Sequence, residues 1–357
     1  ATTIHRLLGA GYDQELGRLA FSKDEEDPLD AQAIIVDEVS MVDVPLMAAL
    51  LRAMKNECRL VLVGDPDQLP SVGPGRVFDH LIRSGVVPTV YLTEIFRQAR
   101  ESAIIRNAHA VNRGILPQVD NKSKDFFFLR RLQGDRAAET IVDLCKNRLP
   151  KNMGIPTDQI QVLSPTRKHI TGTSQLNAML QAALNPPSPD KRERRYGSTV
   201  FREGDRVMQV KNNYDILWRE EDGLRGGMGV FNGDIGVITE IQPDLGMLTV
   251  NFEGRLVEYT WEMLAELEPA FAMTVHKAQG SEYRAVILAA SSGAPMLLTR
   301  GVLYTAITRA KELFIIVGDP RVVATMVEND RQDQRYSGLR ARLLAGEDGL
   351  EEPDQVH

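Results

Sequence analysis

Two apolar runs, each closing on acidic residues, constrain this chain more than any other feature. Residues 33–38 read AIIVDE and end in Asp37 and Glu38; residues 60–68 read LVLVGDPDQ and end in Gly64, Asp65 and Gln68. Short unbroken runs of Val, Ile and Leu are what strands buried in a parallel sheet require, and chemistry gathers at the carboxyl ends of such strands. A carboxylate pair at one strand end suits a Mg²⁺ ligand beside a water-activating base. Gln68 suits the positioning of a water or a γ-phosphate. No G-x-x-x-x-G-K-[ST] occurs in the 357 residues, so the glycine-rich phosphate cradle and its Lys are not written in this stretch.

Length allows two or three domains and a large core, and 43% apolar with 25% charged residues is ordinary for a water-soluble chain. No stretch approaches the roughly 20 apolar residues that span a bilayer, and no signal peptide opens the sequence, so a cytoplasmic location is expected. The two cysteines, Cys58 and Cys145, lie far apart with no C-x-x-C, and the six histidines are scattered. That pattern reads as reduced thiols and argues against a structural zinc. The net charge of −7 speaks against a broad basic face for duplex binding. It leaves room for a single strand held in a narrow channel with local donors.

Along residues 1–113 apolar runs alternate with helical patterns, predicting strands at 33–37, 60–64 and 89–92 and helices at 43–55, 76–84 and 102–113. Residues 11–30 are polar and acidic, an insertion more than a core element. A second α/β layer follows, with strands near 126–130 and 160–164 and helices at 135–148 and 173–184. Residues 185–198 (NPPSPDKRERRYGS) read as an exposed loop. From 199 to 260 short strand-like pieces punctuated by Gly and Asp predict a small antiparallel barrel. Strands at 284–290 and 313–317 around a helix near 302–311 restore the α/β pattern, and the polar tail from Asp330 is expected to fray.

Several weaker signals align with the two acidic strand ends. Ser71, Gly73, Pro74 and Gly75 make a tight loop whose backbone could approach a phosphate, or a mere turn. Arg97 and Arg309, singly, are ordinary surface arginines; facing a nucleotide they could neutralise transition-state charge. In TVHKAQGSEY (274–283), His276 and Lys277 could be solvated, Gly280 permits close backbone approach, and Glu282 could accept from a ribose hydroxyl. Thr2, Thr3 and His5 supply small donors suited to phosphate.

The series resembles superfamily 1 helicases, and most closely the bacterial RecD-like 5′-to-3′ DNA helicases. ATTIHR (1–6) is similar to motif Ia, IVDEVSMVD (35–43) to motif II and GDPDQLPSVGPG (64–75) to motif III. LTEIFRQ (92–98) resembles motif IV, TVHKAQGSEY motif V and YTAITRAK (304–311) motif VI, while VLSPTRK (162–168) resembles a segment that contacts the single strand. The resemblance implies an α/β fold with two RecA-like P-loop NTPase-type parallel-sheet domains, the first truncated, and a small antiparallel β-barrel inserted in the second. It places the first domain at 1–118 with a pin-like insertion at 11–30, the second at 119–198 and 266–340, the barrel at 199–265 and a tail at 341–357. It implies ATP and Mg²⁺ as cofactors and single-stranded DNA as partner. Asp37 would bind Mg²⁺ and the nucleotide, Glu38 would activate water, Gln68 would sense the γ-phosphate, Arg97 and Arg309 would act as fingers, and Gly280 and Glu282 would meet the nucleotide. Thr3, His5, Ser71, Gly73, Thr166, Thr274 and His276 would lie along the strand.

Motifs that supply adenine contacts and the phosphate-binding Lys precede motif Ia in this family. The expectation is therefore a piece of a longer DNA helicase acting in recombination or repair, ATPase-inactive by itself. Two other readings share the motifs: the helicase part of a conjugative relaxase, and a nucleic-acid-binding module without catalysis.

Overall fold

The computed structural model describes residues 2–13, 18–92, 101–118, 123–223, 225–291, 293–331 and 337–346. The chain divides into two compact units, one of residues 1–96 with 331–357 and one of residues 97–330.

The first unit opens on a single helical turn, α1 (Ile4–Leu7), with Thr3 as its cap: the Thr3 hydroxyl accepts from the Arg6 N–H at 3.2 Å. A two-stranded antiparallel hairpin follows, β1 (Ala10–Asp13) on β2 (Arg18–Phe21), within the stretch expected as an insertion. The two acidic runs form parallel neighbours, β3 (Ala33–Val36) and β4 (Arg59–Leu62), with Ile34 opposite Leu60 and Val36 opposite Leu62. Between them runs α2 (Val44–Arg52). Asp43 caps it, accepting from Leu46 N–H at 2.9 Å, and Pro45 sits in its first turn, where a missing N–H costs nothing.

Ile34 and Val36 pack with Met47 and Leu50 of α2 and with Leu8, Val39 and Val77 in the core of this unit. The other face of the sheet is different. Ile35 is 72% exposed, and Val61 and Val63 are 41% and 46% exposed. The run expected as a third strand, 89–92, is not one. Val90 and Leu92 are exposed and, among the described residues, no strand pairs with them. An apolar run becomes a strand only where a neighbour completes its backbone hydrogen bonds. Helix α3 (Val77–Ser84) ends on Gly85 in the left-handed conformation. Against it packs the helix Leu339–Ala345, with Leu339 half-buried against the core and Ser337 Oγ 3.2 Å from His80 Nδ1. The stretch expected to end the second domain and then fray thus returns to the first unit, where its Leu339 packs half-buried against the first core.

The second unit is built on a five-stranded, wholly parallel sheet. Its strands are β5 (Phe126–Arg130), β6 (Ile160–Ser164), Ala272–Thr274, Tyr283–Ala290 and Ala310–Gly318; the spatial order is Ala272–Thr274, β6, Tyr283–Ala290, Ala310–Gly318, β5. Every residue of β6 is buried, as in a central parallel strand, with the polar Gln161 and Ser164 side chains donating to backbone carbonyls, Gln161 Nε2 to Val162 O and Ser164 Oγ to Thr171 O. Helix α4 (Ala103–Asn112) packs on the helix Arg300–Thr308 and belongs to this unit. The helix expected at 135–148 breaks into α5 (Gly134–Asp143), a π-turn over Leu144–Arg148 and α6 (Leu149–Met153). Leu149 N–H bonds five residues back to Leu144 O, and Pro150, next in line, has no N–H to keep the four-residue register. Helix α7 (Thr173–Leu184) leads to the strands that follow.

The charge run expected as a loop instead forms a hairpin, β7 (Glu193–Tyr196) on β8 (Thr199–Arg202), turning at Gly197 with φ 58°. Its charges are tolerated because Arg202, only 7% exposed, is paired with Glu193 at 2.6 Å. After it come β9 (Arg206–Gln209), β10 (Asn213–Glu220), β11 (Gly226–Val230), β12 (Ile235–Gln242), β13 (Met247–Phe252), β14 (Arg255–Thr260) and β15 (Leu267–Pro269). They form one seven-stranded antiparallel sheet with its own core of Phe201, Val250, Phe252, Tyr259 and neighbours. The chain re-enters the parallel sheet at β16 (Ala272–Thr274), followed by β17 (Tyr283–Ala290), α8 (Arg300–Thr308), β18 (Ala310–Gly318) and α9 (Pro320–Glu328).

Candidate nucleotide and nucleic-acid sites

In the first unit the ends of β3 and β4 lie side by side: Val39 N–H donates to Val63 O at 3.0 Å, and a Cβ on Gly64 would stand 3.1 Å from Val39 N. Asp37 is exposed at this edge and accepts from Glu38 N–H at 2.8 Å. Glu38 adopts φ 53°, ψ 40°, a left-handed backbone that a glutamate holds only when its surroundings enforce it. Asp65 shapes the following turn, accepting from Asp67 N–H at 3.0 Å and from Gln68 Nε2 at 3.3 Å. Gln68 is buried, and its Oε1 has no hydrogen-bond partner. Ser40 Oγ is also buried without a partner, and both side chains line one shallow pocket with Arg76 and Asp79. Buried acceptors and donors left open in this way are suited to a polar ligand or water.

Two of the other predicted residues of this unit, His5 and Gly73, lie near Asp43. His5 lies within electrostatic reach of that carboxylate and beside Phe21, ring centroids 6.0 Å apart. Burial lowers the His5 pKa and Asp43 opposes the shift, so the imidazole is biased towards its neutral, donor-and-acceptor form. Gly73 must be glycine, since a Cβ there would sit 1.8 Å from Asp43 Oδ2. Ser71 is buried and donates to Gly73 O and Gly75 O at 3.2 and 3.3 Å, which ties its hydroxyl to the loop. Thr3 is occupied as the α1 cap. Arg97 lies outside the described residues, as does most of the motif that carries it.

In the second unit Thr166 and Thr274 come to the same carboxyl edge of adjacent strands, with Thr274 opposite Ser164 in the β16–β6 pairing. Thr166 is buried, with its hydroxyl 3.4 Å from Lys168 O. His276 follows in a 3₁₀ turn, Val275–Ala278. Arg309 is 4% exposed; Nη1 donates to Ser281 O at 3.1 Å and Nη2 to Thr308 Oγ1 at 3.4 Å, while Nε is buried with no partner. Gly280, at φ 74°, and Glu282 flank the serine that Arg309 holds. The structure therefore brings Gly280, Glu282 and Arg309 together. Glu282 is ion-paired to Lys311 at 3.0 Å, a partner its sequence position does not announce. Three further residues were not singled out as site residues beforehand: Arg167, Lys277 and Glu268 form one ion-paired group beside Thr166 and Thr274.

Comparison with known proteins fits this arrangement. Residues 176–252 match the model described as ATP-dependent RecD-like DNA helicase SH3 domain, residues 1–126 an AAA domain, and residues 269–317 a UvrD-like helicase C-terminal domain. The chain is 35% identical over 97% of its length to the ATP-dependent RecD2 DNA helicase of Deinococcus radiodurans. The chain belongs to the RecD-like helicase family. Another RecD-like relative, the RecBCD enzyme subunit RecD of Mycolicibacterium smegmatis, is 31% identical over 96% of the chain. The chain spans 43% and 59% of these two relatives. A solved Pif1 helicase from Bacteroides, in complex with ADP-AlF3 and ssDNA, superposes with a TM-score of 0.51 at 21% identity, covering 91% of this chain and 80% of that one. That likeness confirms the RecA-like fold class expected for a RecD-like chain.

Among the described residues no group of three or more His, Cys, Asp or Glu could hold a metal. This is compatible with Mg²⁺, which commonly takes one or two carboxylates and completes its shell with phosphate oxygens and waters. Among the described residues no helix is long and apolar enough to cross a membrane.

Proposed function

We propose that this chain carries nucleotide-facing and strand-facing residues of an ATP-dependent DNA helicase that moves 5′-to-3′ on single-stranded DNA and serves recombination or repair in the cytoplasm. The observation that carries the reading is the strand-end cluster of the first unit. An exposed carboxylate, Asp37, precedes a conformationally forced Glu38, and Gln68, which lines a pocket with Ser40 from the same strand end, keeps a buried acceptor open. ATP would supply the free energy of movement. Asp37 would hold the metal, Glu38 would take the proton of the attacking water, and Gln68 Oε1 would orient that water. Arg309, already fixed through two hydrogen bonds, keeps Nε as a donor for an anionic ligand. Arg97 is proposed as the second finger from its motif alone.

His5 and Gly73 in the first unit, and Thr274 and His276 in the second, are proposed to face the strand. Thr3, Ser71 and Thr166 are proposed to shape the turns that present them, since their hydroxyls are engaged with nearby backbone. The β1–β2 hairpin is proposed as the pin that separates duplex strands, and the β9–β15 sheet as the inserted module beside the track.

The test uses a longer chain in which residues 1–357 are joined to a G-x-x-x-x-G-K-[ST] loop. DNA-stimulated ATP turnover and unwinding of a 5′-tailed duplex, but not a 3′-tailed one, are expected. Glu38→Gln should keep nucleotide binding and lower turnover by about 10²–10⁴-fold, the usual scale of a lost general base. Residues 1–357 alone should show no turnover. Near-normal kcat in the Gln variant would reduce Glu38 to a strand-end acid, and preference for 3′ tails would reverse the proposed polarity.

A further inference from the structure

The second unit holds two cations on one carboxylate. Arg167 leaves the carboxyl end of β6, and Lys277 lies in the 3₁₀ turn that follows β16. These strands are hydrogen-bonded parallel neighbours, so both cations emerge from the same sheet edge. Glu268 comes from elsewhere: it sits on β15, the last strand of the antiparallel module, opposite Met208. One Glu268 oxygen accepts from Arg167 Nη2, and the other lies 3.3 Å from Lys277 Nζ. Both oxygens of a single carboxylate are thus bridged by two positive side chains. Two cations against one anion leave the group with a surplus positive charge.

We propose that Arg167 and Lys277 form a phosphodiester site in which the Glu268 carboxylate stands in for the phosphate until a strand arrives. The two non-bridging oxygens of a phosphodiester carry a single charge and are spaced much like carboxylate oxygens. The same guanidinium and ammonium can therefore accept either. The group is partly open, with side-chain exposures of 59% for Arg167, 35% for Glu268 and 25% for Lys277. A ligand therefore reaches it without unfolding. Thr166, Thr274 and His276 lie on the same edge, so a backbone following those residues would meet the two cations. On binding, the phosphate takes Arg167 and Lys277, and Glu268 is released together with the tie it makes from β15 to the parallel sheet. The carboxylate thus works as a competitor that lowers affinity and links strand occupancy to the hold on the antiparallel module.

This proposal rests on the single-strand reading above, and its test separates the two. Binding of a fluorescent oligo-dT to the 357-residue chain is followed by anisotropy over a series of salt concentrations. Glu268→Gln keeps the shape and removes the competing charge. It should tighten binding about two- to fivefold at low salt, the scale of a partly exposed ion pair. Arg167→Ala and Lys277→Ala should each weaken binding and reduce the slope of log K against log salt by about 0.7, one phosphate contact on a single strand. In the Arg167→Ala, Lys277→Ala double variant the gain from Glu268→Gln should vanish. If the wild-type chain binds but Glu268→Gln changes neither affinity nor slope, the group is a structural tie and the proposal fails alone. If the wild-type chain does not bind oligo-dT at all, the strand reading falls with it. Should Glu268→Gln misfold, unchanged salt slopes in the two cation variants would overturn the site by themselves.

Discussion

Single residues in this chain are governed by how much water they keep. Cys145 lies in the core of the second unit, 2% exposed, and burial pushes its thiol pKa up to about 12. The thiolate is the reactive form, so Cys145 should be inert to iodoacetamide in the folded chain at pH 8 and react only when the parallel-sheet unit opens. Cys58, half-buried in the other unit, should label first. Mass-resolved alkylation along a urea gradient checks this, and early modification of Cys145 would show that its core opens locally. At the same scale the acidic strand ends were legible in the sequence because they are local signals. The Glu268 bridge was not, because Arg167 lies 101 positions away and an isolated acid has no pattern. The Thr and Ser residues were assigned to the strand through the motifs that carry them, which fix position in the sequence and not the direction of a hydroxyl. Whether a hydroxyl faces a ligand or its own turn depends on three-dimensional neighbours, and Ser71 and Thr166 face their turns.

Between elements, the junction of α7 with the antiparallel module depends on one buried acid. Asp205, 1% exposed, accepts from Asn185 Nδ2 at 2.7 Å, Gln181 Nε2 at 2.5 Å and Arg202 N–H at 2.7 Å. Burial raises its pKa and these bonds oppose the rise. Asp205→Ala would take one acceptor from each of three donors, of which Gln181 Nε2 and Asn185 Nδ2 keep only a backbone carbonyl each, Val200 O and Glu203 O. The expected destabilisation is about 2–4 kcal/mol, less than three full penalties because the cost of burying a charge is removed as well. A carboxyl whose folded pKa is raised contributes its full stabilisation below the unfolded value of 3.8 and loses it as pH climbs through the folded one. The Asp205→Ala deficit should therefore be larger at pH 4 than at pH 7. Urea melts at the two pH values measure this; equal deficits would mean that Asp205 does not titrate with folding. Elements were legible where period and partner agreed, as in β6 and β17. The β7–β8 hairpin was not, since ERRY looks solvated until Arg202 is seen pairing with Glu193. The run at 89–92 failed for the opposite reason: it has strand composition and, among the described residues, no pairing neighbour.

For the whole molecule, the order of the family's motifs was readable and the grouping of segments was not. Residues 337–346 return to the first unit through one half-buried leucine and a serine–histidine contact, too small a signal to stand out in a polar tail. The sheet of that first unit also governs how the chain behaves in a tube. β3 and β4 show solvent a face of Ile35, Val61 and Val63, and among the described residues each strand has one pairing partner. Greasy, flat and open-edged surfaces recruit one another as concentration rises. The 357-residue chain should brighten ANS while fully folded and sediment as a growing mixture of species above micromolar concentration. Ile35→Thr with Val61→Thr, which keeps β-branching and adds hydroxyls, should quiet both signals. An ANS-dark, monodisperse wild-type chain would show the face to be harmless; the expected outcome makes colloidal behaviour the first practical property that this sheet imposes.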